Sequence, residues 1–312
     1  MSERFPFGQA IVSARLATLA KVAFATTLVL NVWIAPSVAA DPFRAKEARK
    51  IGDKTEAAFN AIFQQGDYKA AEAYLQQALS SESNEPLAYA MKASLAYANQ
   101  DWAALETYSK KTLEIAQKLI SSDPLRGNIY TAVGHFLEGA AFVRREGTVN
   151  GAPQALTKLR EVYKYLDQAE AISANDPELN LLKGYMDLML AVNLPFANPQ
   201  QAIARLEQSA GPEYLAVRGI AYGYRDLKQY NKALEYAERA LKKTSNNPEV
   251  YYLKAQILRE MAKKDKNPKL LQEAISNFDQ ALTRKAQLPA DLVRQIQRER
   301  RKAAEDIAQA RR

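Results

Sequence analysis

The side chains able to carry chemistry are few. Among 312 residues there is one histidine, His135, and no cysteine. Disulfides, thiolate metal sites, a cysteine nucleophile and a lipidated cysteine are therefore excluded, and no multi-histidine metal cluster is available. His135 lies within Tyr130 to Glu138, and Glu138 falls three positions on, where a helix turns both to one side. That pair alone predicts a histidine satisfied by packing or solvent rather than a catalytic base. Gly147 and Gly151 invite a phosphate-loop reading, but no Gly-Lys-Ser or Gly-Lys-Thr follows and no strand precedes them, so they read as loop. Aspartates and glutamates scattered over helices read as solvated faces. The expectation is a chain with no catalytic residues, no metal and no cofactor, whose work is binding.

The elements that would position a binding surface are helices. Hydrophobic residues make up 47% of the chain and charged residues 25%, while 12 glycines and 13 prolines are too few for an all-β or disordered chain. The formal net charge is +8, and the segment from Arg284 onward, with nine basic and four acidic side chains, holds most of the excess. No broad basic face is needed elsewhere, and no nucleic-acid partner is expected.

The N-terminus reads as an address. Arg4, Arg15 and Lys21 precede an apolar run of 14 residues, Val22 to Ala35, and then Pro36-Ser37-Val38-Ala39-Ala40 before Asp41. This is the n-region, h-region and small-residue cleavage site of a secretory signal. A membrane span needs about 20 apolar residues, more than lie between Lys21 and Pro36. The expectation is cleavage after Ala40, export by the general secretory route, and no stable membrane insertion afterwards; an uncleaved anchor from Leu16 to Ala35 is the alternative. No twin-arginine pair occurs before the run.

After Asp41 the chain repeats itself. Asp67-Tyr68-Lys69-Ala70-Ala71 through Leu79 matches Asp101-Trp102-Ala103-Ala104-Leu105 through Leu113, with Tyr68 over Trp102 and Tyr74 over Tyr108, 34 residues apart. The phrase returns from Tyr230 to Leu241, closed by Asn246-Asn247-Pro248, and again from Ala274 to Leu282. Weaker copies run from Tyr165 to Ala169 and from Gln201 to Leu206. Ala71, Ala78, Ala233, Ala240, Ala274 and Ala281 are the small residues that let helices cross closely, while Tyr, Leu and Phe fill the gaps beside them. Prolines 86, 124, 177, 248 and 289 mark where one pair ends, since proline cannot continue the preceding helix.

These residues resemble the tetratricopeptide repeat. The resemblance implies an all-α fold: a right-handed superhelical α-solenoid of about six helix pairs near 51–85, 86–123, 124–176, 177–211, 212–247 and 248–288, followed by a basic capping helix over 290–312. The third pair departs by an insertion, Glu146 to Pro153, and the sixth by Lys263 to Lys269; both are expected to form loops. The capping helix would bury Val293, Ile296, Ala303, Ile307 and Ala310 on one stripe. Its basic outer face could instead meet an anionic surface. The exported, cysteine-free array resembles the exported tetratricopeptide proteins of cyanobacteria and other Gram-negative bacteria, which implies the periplasm, or the thylakoid lumen in a photosynthetic cell.

The family's register implies a quasi-one-dimensional stack with a concave groove lined by first helices. Carried onto this sequence, the groove positions are Asn60, Ser94 and Tyr97 in the first two pairs, and Arg218, Tyr222, Arg225, Tyr252, Gln256 and Arg259 in the last two. Arginine forks and tyrosine rings suit an acidic peptide or one with a free C-terminal carboxylate. The chaperone-binding members of the family clamp with Lys and Asn on the first repeat, where this chain has Glu56 and Asn60. The expected function is a protein or peptide scaffold supporting envelope or membrane-complex assembly. A positioning module for a cell-wall polysaccharide enzyme and a structural spacer are the rival readings.

Overall fold

The computed structural model describes residues 41–44, 47–193 and 198–310. The expected signal segment, 1–40, lies outside the described residues. Helix starts are set by one local device used repeatedly. Acidic or amide residues stand before a proline at Glu85-Pro86, Asp123-Pro124, Asp176-Pro177, Asn198-Pro199, Asn247-Pro248 and Asn267-Pro268. Each such side chain accepts a hydrogen bond from a backbone N–H of the first turn, from Leu87 at 3.0 Å in the first case and from Lys269 at 3.0 Å in the last. The proline supplies a fixed φ where its missing N–H has no helical partner to lose.

The described helices are α1 (Asp53–Phe59), continued by a π-helical turn (Asn60–Gln65), α2 (Tyr68–Ser81), α3 (Pro86–Ala98), α4 (Trp102–Leu119), α5 (Pro124–Ile172) and α6 (Pro177–Asn193). Then follow α7 (Pro199–Ser209), α8 (Glu213–Asp226), α9 (Tyr230–Lys243), α10 (Pro248–Asp265), α11 (Pro268–Thr283), a 3-10 turn (Lys285–Gln287) and α12 (Ala290–Ala310). Each packs chiefly on its neighbours in the chain, which makes the fold an all-α solenoid of the tetratricopeptide kind. Ala71, Ala78, Ala233, Ala240, Ala274 and Ala281 are all fully buried at the crossings, beside Leu75, Tyr236 and Phe278. No helix among the described residues is long and apolar enough to cross a membrane.

Two expectations about insertions need correction. The segment from Glu146 to Pro153 is no loop: α5 is helical throughout except at Gly147, whose φ of 79° and ψ of 165° fold the element into two limbs. Only glycine adopts that conformation without strain. Gly151 serves a different end, since a Cβ there would stand 2.8 Å from the Phe142 carbonyl oxygen on the other limb. The two limbs therefore touch close to their tip. The sixth-pair insertion is likewise mostly helix, because α10 runs on to Asp265 and only Lys266 and Asn267 separate it from α11.

Packing is chiefly between neighbours, as a quasi-one-dimensional stack requires, but a few longer ties join distant pairs. The Asn247 amide donates to the carbonyls of Phe63 at 3.2 Å and Gln64 at 3.3 Å, and Arg218 reaches the Phe63 carbonyl at 3.4 Å. The first pair thus rests on the start of α10 and on α8. A second tie comes from the segment ahead of α1. Arg44 and Arg49 meet the carboxylates of Asp176 and Glu178 at the head of α6, while Arg126 forks onto Glu85 at 2.7 and 3.1 Å. One apolar core runs from Phe43 to Ile257, and a second, from Tyr252 to Ile307, joins α10, α11 and α12. On α12, Ile296, Ala303 and Ile307 are buried and Val293 half-buried, covering the end of the stack.

Candidate partner-binding cleft

Of the nine groove positions, six form one strip on α8 and α10. Arg225 donates to Gln256 Oε1 at 2.7 Å, and its guanidinium lies 5.0 Å from the Tyr222 ring. Gln256 donates to Glu299 of α12 at 3.1 Å, and the Tyr252 hydroxyl donates to the same carboxylate at 2.6 Å. Arg259 pairs with Asp306 at 3.2 Å. Burial, reinforced by Glu299, pushes the Tyr252 hydroxyl pKa up, so it stays a donor. Arg218 and Tyr252 are buried. The strip is real, but carboxylates of the chain's own last helix already occupy much of it. A partner there would first have to displace α12.

Asn60, Ser94 and Tyr97 do not join that strip. Asn60 is half-buried on the π-helical turn, and the exposed Ser94 hydroxyl donates to the Ala90 carbonyl at 3.0 Å. Tyr97 lies at the edge of a different feature. Its hydroxyl accepts from Arg144 at 2.6 Å, and the Arg144 guanidinium sits 5.0 Å from the Tyr97 ring and 5.3 Å from that of Trp102.

That feature is an outer cleft of about 700 Å³ between α3, the two limbs of α5, and α6. Gly139, Ala140 and Ala155 keep its floor low, and Phe136, Leu156 and Met189 stand at its walls. These side chains are unusually open for their type: Leu156 is 59% exposed, Tyr97 39%, and Phe136 and Met189 37% each. Isolated exposed apolar side chains need no explanation, whereas several large ones around one concavity are the general character of interaction and ligand sites. The rim is polar. Arg144 is on one side, and on another Lys158 bonds Glu138 at 2.6 Å. His135 stacks on Tyr165 with centroids 5.6 Å apart, and its Nδ1 is 3.5 Å from Glu138. His135 and Lys158 together hold the Glu138 carboxyl below the usual glutamate range.

Phe136, Val162 and Met189 are shared with an inner chamber of about 480 Å³. Its walls come from α1 and the π-helical turn after it, α3, both limbs of α5, α6 and α8, with Phe43 ahead of α1. The concave side of the solenoid is thus neither a flat groove nor filled.

The carry-over from repeat register missed Phe136, Leu156 and Met189. A signal for two of them was present: apolar residues at 136, 139, 140 and 143, then at 152, 155, 156, 159 and 162, keep helical spacing on both sides of the insertion. The clustered carboxylates Asp176 and Glu178 were also unforeseen. Both are buried against Arg44 and Arg49, with Arg126 beside Glu178 and the Tyr130 hydroxyl bonded to it.

No protein-family model and no curated protein matches the chain. Among solved structures it is similar to a chain of the human IFIT1 dimer with PPP-AAAA, at 19% identity and a TM-score of 0.44, over 83% of this chain and 59% of that one. It is also similar to a chain of the APC/C hetero-tetramer Cut9–Hcn1, at 15% identity and a TM-score of 0.32, over 83% of this chain and 49% of that one. The chain therefore spans about three-fifths of the first and about half of the second. The class of the protein, a tetratricopeptide-like helical repeat, stands on the pairing of its helices described above.

Proposed function

We propose that this chain is an exported, non-catalytic scaffold that receives a segment of another protein at the outer cleft of the third helix pair. The single observation behind this reading is the set of large, exposed apolar side chains, Tyr97, Phe136, Leu156 and Met189, around one concavity with a polar rim. Interfaces of this build bury aromatic and aliphatic anchors in a pocket and leave charges at the edge. The partner's contribution is an apolar side-chain cluster, not the acidic tail that the strip on α8 and α10 suggested, because Arg259 already faces Asp306 and Arg225 the Gln256–Glu299 pair. Support for envelope or membrane-complex assembly belongs to the same proposal.

A photo-activatable phenylalanine analogue at Leu156, with a control at the exposed Lys242 of α9, tests the site in intact cells. A discrete adduct from position 156 and none from 242 supports the cleft. Adducts from neither, or equally from both, overturn it. Export has its own test: intact mass of the protein recovered from cells shows Asp41 as first residue, and retention of Met1 in a membrane fraction overturns cleavage.

A further inference from the structure

The inner chamber has a chemistry different from that of the cleft above it. Its lining is almost entirely hydrocarbon and aromatic carbon, with Phe59, Phe63, Met91, Leu137, Leu166 and Leu181 among its walls. The polar groups on its wall are nearly all committed. The Tyr130 hydroxyl is held by Glu178, the Tyr185 hydroxyl donates to the Leu215 carbonyl at 2.7 Å, and the Ser94 hydroxyl donates to Ala90. Protein interiors pack to crystal density with few voids larger than a water, so a chamber of about 480 Å³ is no packing flaw. It lies within the range of ligand sites, roughly 300–1,000 Å³.

One polar side chain on that wall is not fully used. Arg218 is 8% exposed, and its Nε has no hydrogen-bond partner. Its Nη1 reaches the Phe63 carbonyl at 3.4 Å and lies 3.9 Å from Glu249, whose Oε1 also lacks a partner. A guanidinium carries five N–H donors in a fork, so capacity remains for a ligand oxygen beside the bonds to the Phe63 carbonyl and the Tyr185 hydroxyl. Arg218 lines the inner chamber but not the outer cleft.

We infer that the inner chamber binds a single-chain amphiphile of the fatty-acid type, its carboxylate at Arg218 and its hydrocarbon chain running past Phe136 and Met189 towards the outer cleft. A peptide backbone does not fit the same space. Each of its residues would bring an N–H and a C=O that these walls cannot pair, at a cost that grows with every residue. A hydrocarbon chain brings no such groups, and one acceptor at its end meets Arg218, the one cation among the described residues of that wall. This goes beyond the protein-binding proposal and does not rest on it.

Laurate and 1-dodecanol, titrated calorimetrically into the purified chain, test the assignment. The wild type takes up one laurate saturably, and prefers it to dodecanol by about tenfold, the difference expected of a charge-assisted hydrogen bond. Ser94→Trp, made at an exposed position on the chamber wall, weakens both ligands at least tenfold with an unchanged circular dichroism melt. Arg218→Met removes the preference for laurate; if that variant fails to fold, the wild-type preference and Ser94→Trp decide. Absence of saturable uptake, equal affinity for the two ligands, or undiminished binding by Ser94→Trp overturns the inference. Laurate uptake without cross-links at Leu156 would defeat only the protein-binding proposal, and cross-links without uptake only this one.

Discussion

The third helix pair and the sixth both depart from a standard repeat by an insertion, yet they end in opposite states. Around the sixth pair every candidate binding group has been given an internal partner: Tyr252 and Gln256 meet Glu299, Arg259 meets Asp306, and Phe278 is sealed under α12. Around the third pair the long limbs of α5 hold Phe136 and Leu156 open to solvent. The difference teaches that residue type does not mark a receptive surface. Arginine and tyrosine are the side chains that interfaces favour, but in the sixth pair Arg259 and Tyr252 serve the molecule's own closure. What marks the proposed receptive surface is large apolar area left uncovered around a concavity.

The sharpest way to break this contrast is to open the closed side. Phe278→Ala should destabilise the chain by about 3–5 kcal/mol, because a fully buried ring leaves a cavity that its neighbours only partly refill. Urea unfolding measures it, and a loss below about 1 kcal/mol would mean that α12 is a loose cover. Glu299→Ala is next, at about 1–3 kcal/mol, since it strands the Tyr252 hydroxyl and removes both bonds from Gln256. That variant should also make the strip on α8 and α10 more accessible, read as faster hydrogen exchange in α12.

On the open side the effects shrink. Glu138→Gln should cost about 1 kcal/mol near neutral pH. The Glu138 carboxyl is held below its ordinary range in the folded chain, so its contribution is present above about pH 4 and is lost as the pH falls through its lowered value. The difference in unfolding midpoint between wild type and variant should therefore close in acid. A gap that widens there would show that His135 and Lys158 do not hold the carboxylate. Leu156→Ser should change stability by no more than about 0.5 kcal/mol while abolishing partner capture. A large destabilisation would convert the proposed anchor into core.

Much of the fold was legible because its causes are local. Tyr68 over Trp102 gives the 34-residue period, the alanines give the crossings, and the Asp-Pro and Asn-Pro steps give the helix starts, all within a few positions of the residues they affect. The state of the binding strip was not legible because its partners are remote. Glu299 lies 47 positions from Tyr252 and 43 from Gln256, and Asp306 lies 47 from Arg259. The cleft was half legible. Its apolar spacing continues across the insertion, but the exposure of Leu156 depends on where Gly147 turns the chain, and an insertion with two glycines reads more naturally as loop.

The bonds from Asn247 to the carbonyls of Phe63 and Gln64 join positions more than 180 apart. Open arrays tolerate the gain or loss of a unit, since each unit answers only to its neighbours. Here one extra helix pair between them would carry the α1 turn past its seat on α10, and one fewer would stop it short. The number of pairs is thereby counted by the molecule itself, so lengthening a limb, such as those of the third pair, should be tolerated where an added repeat is not.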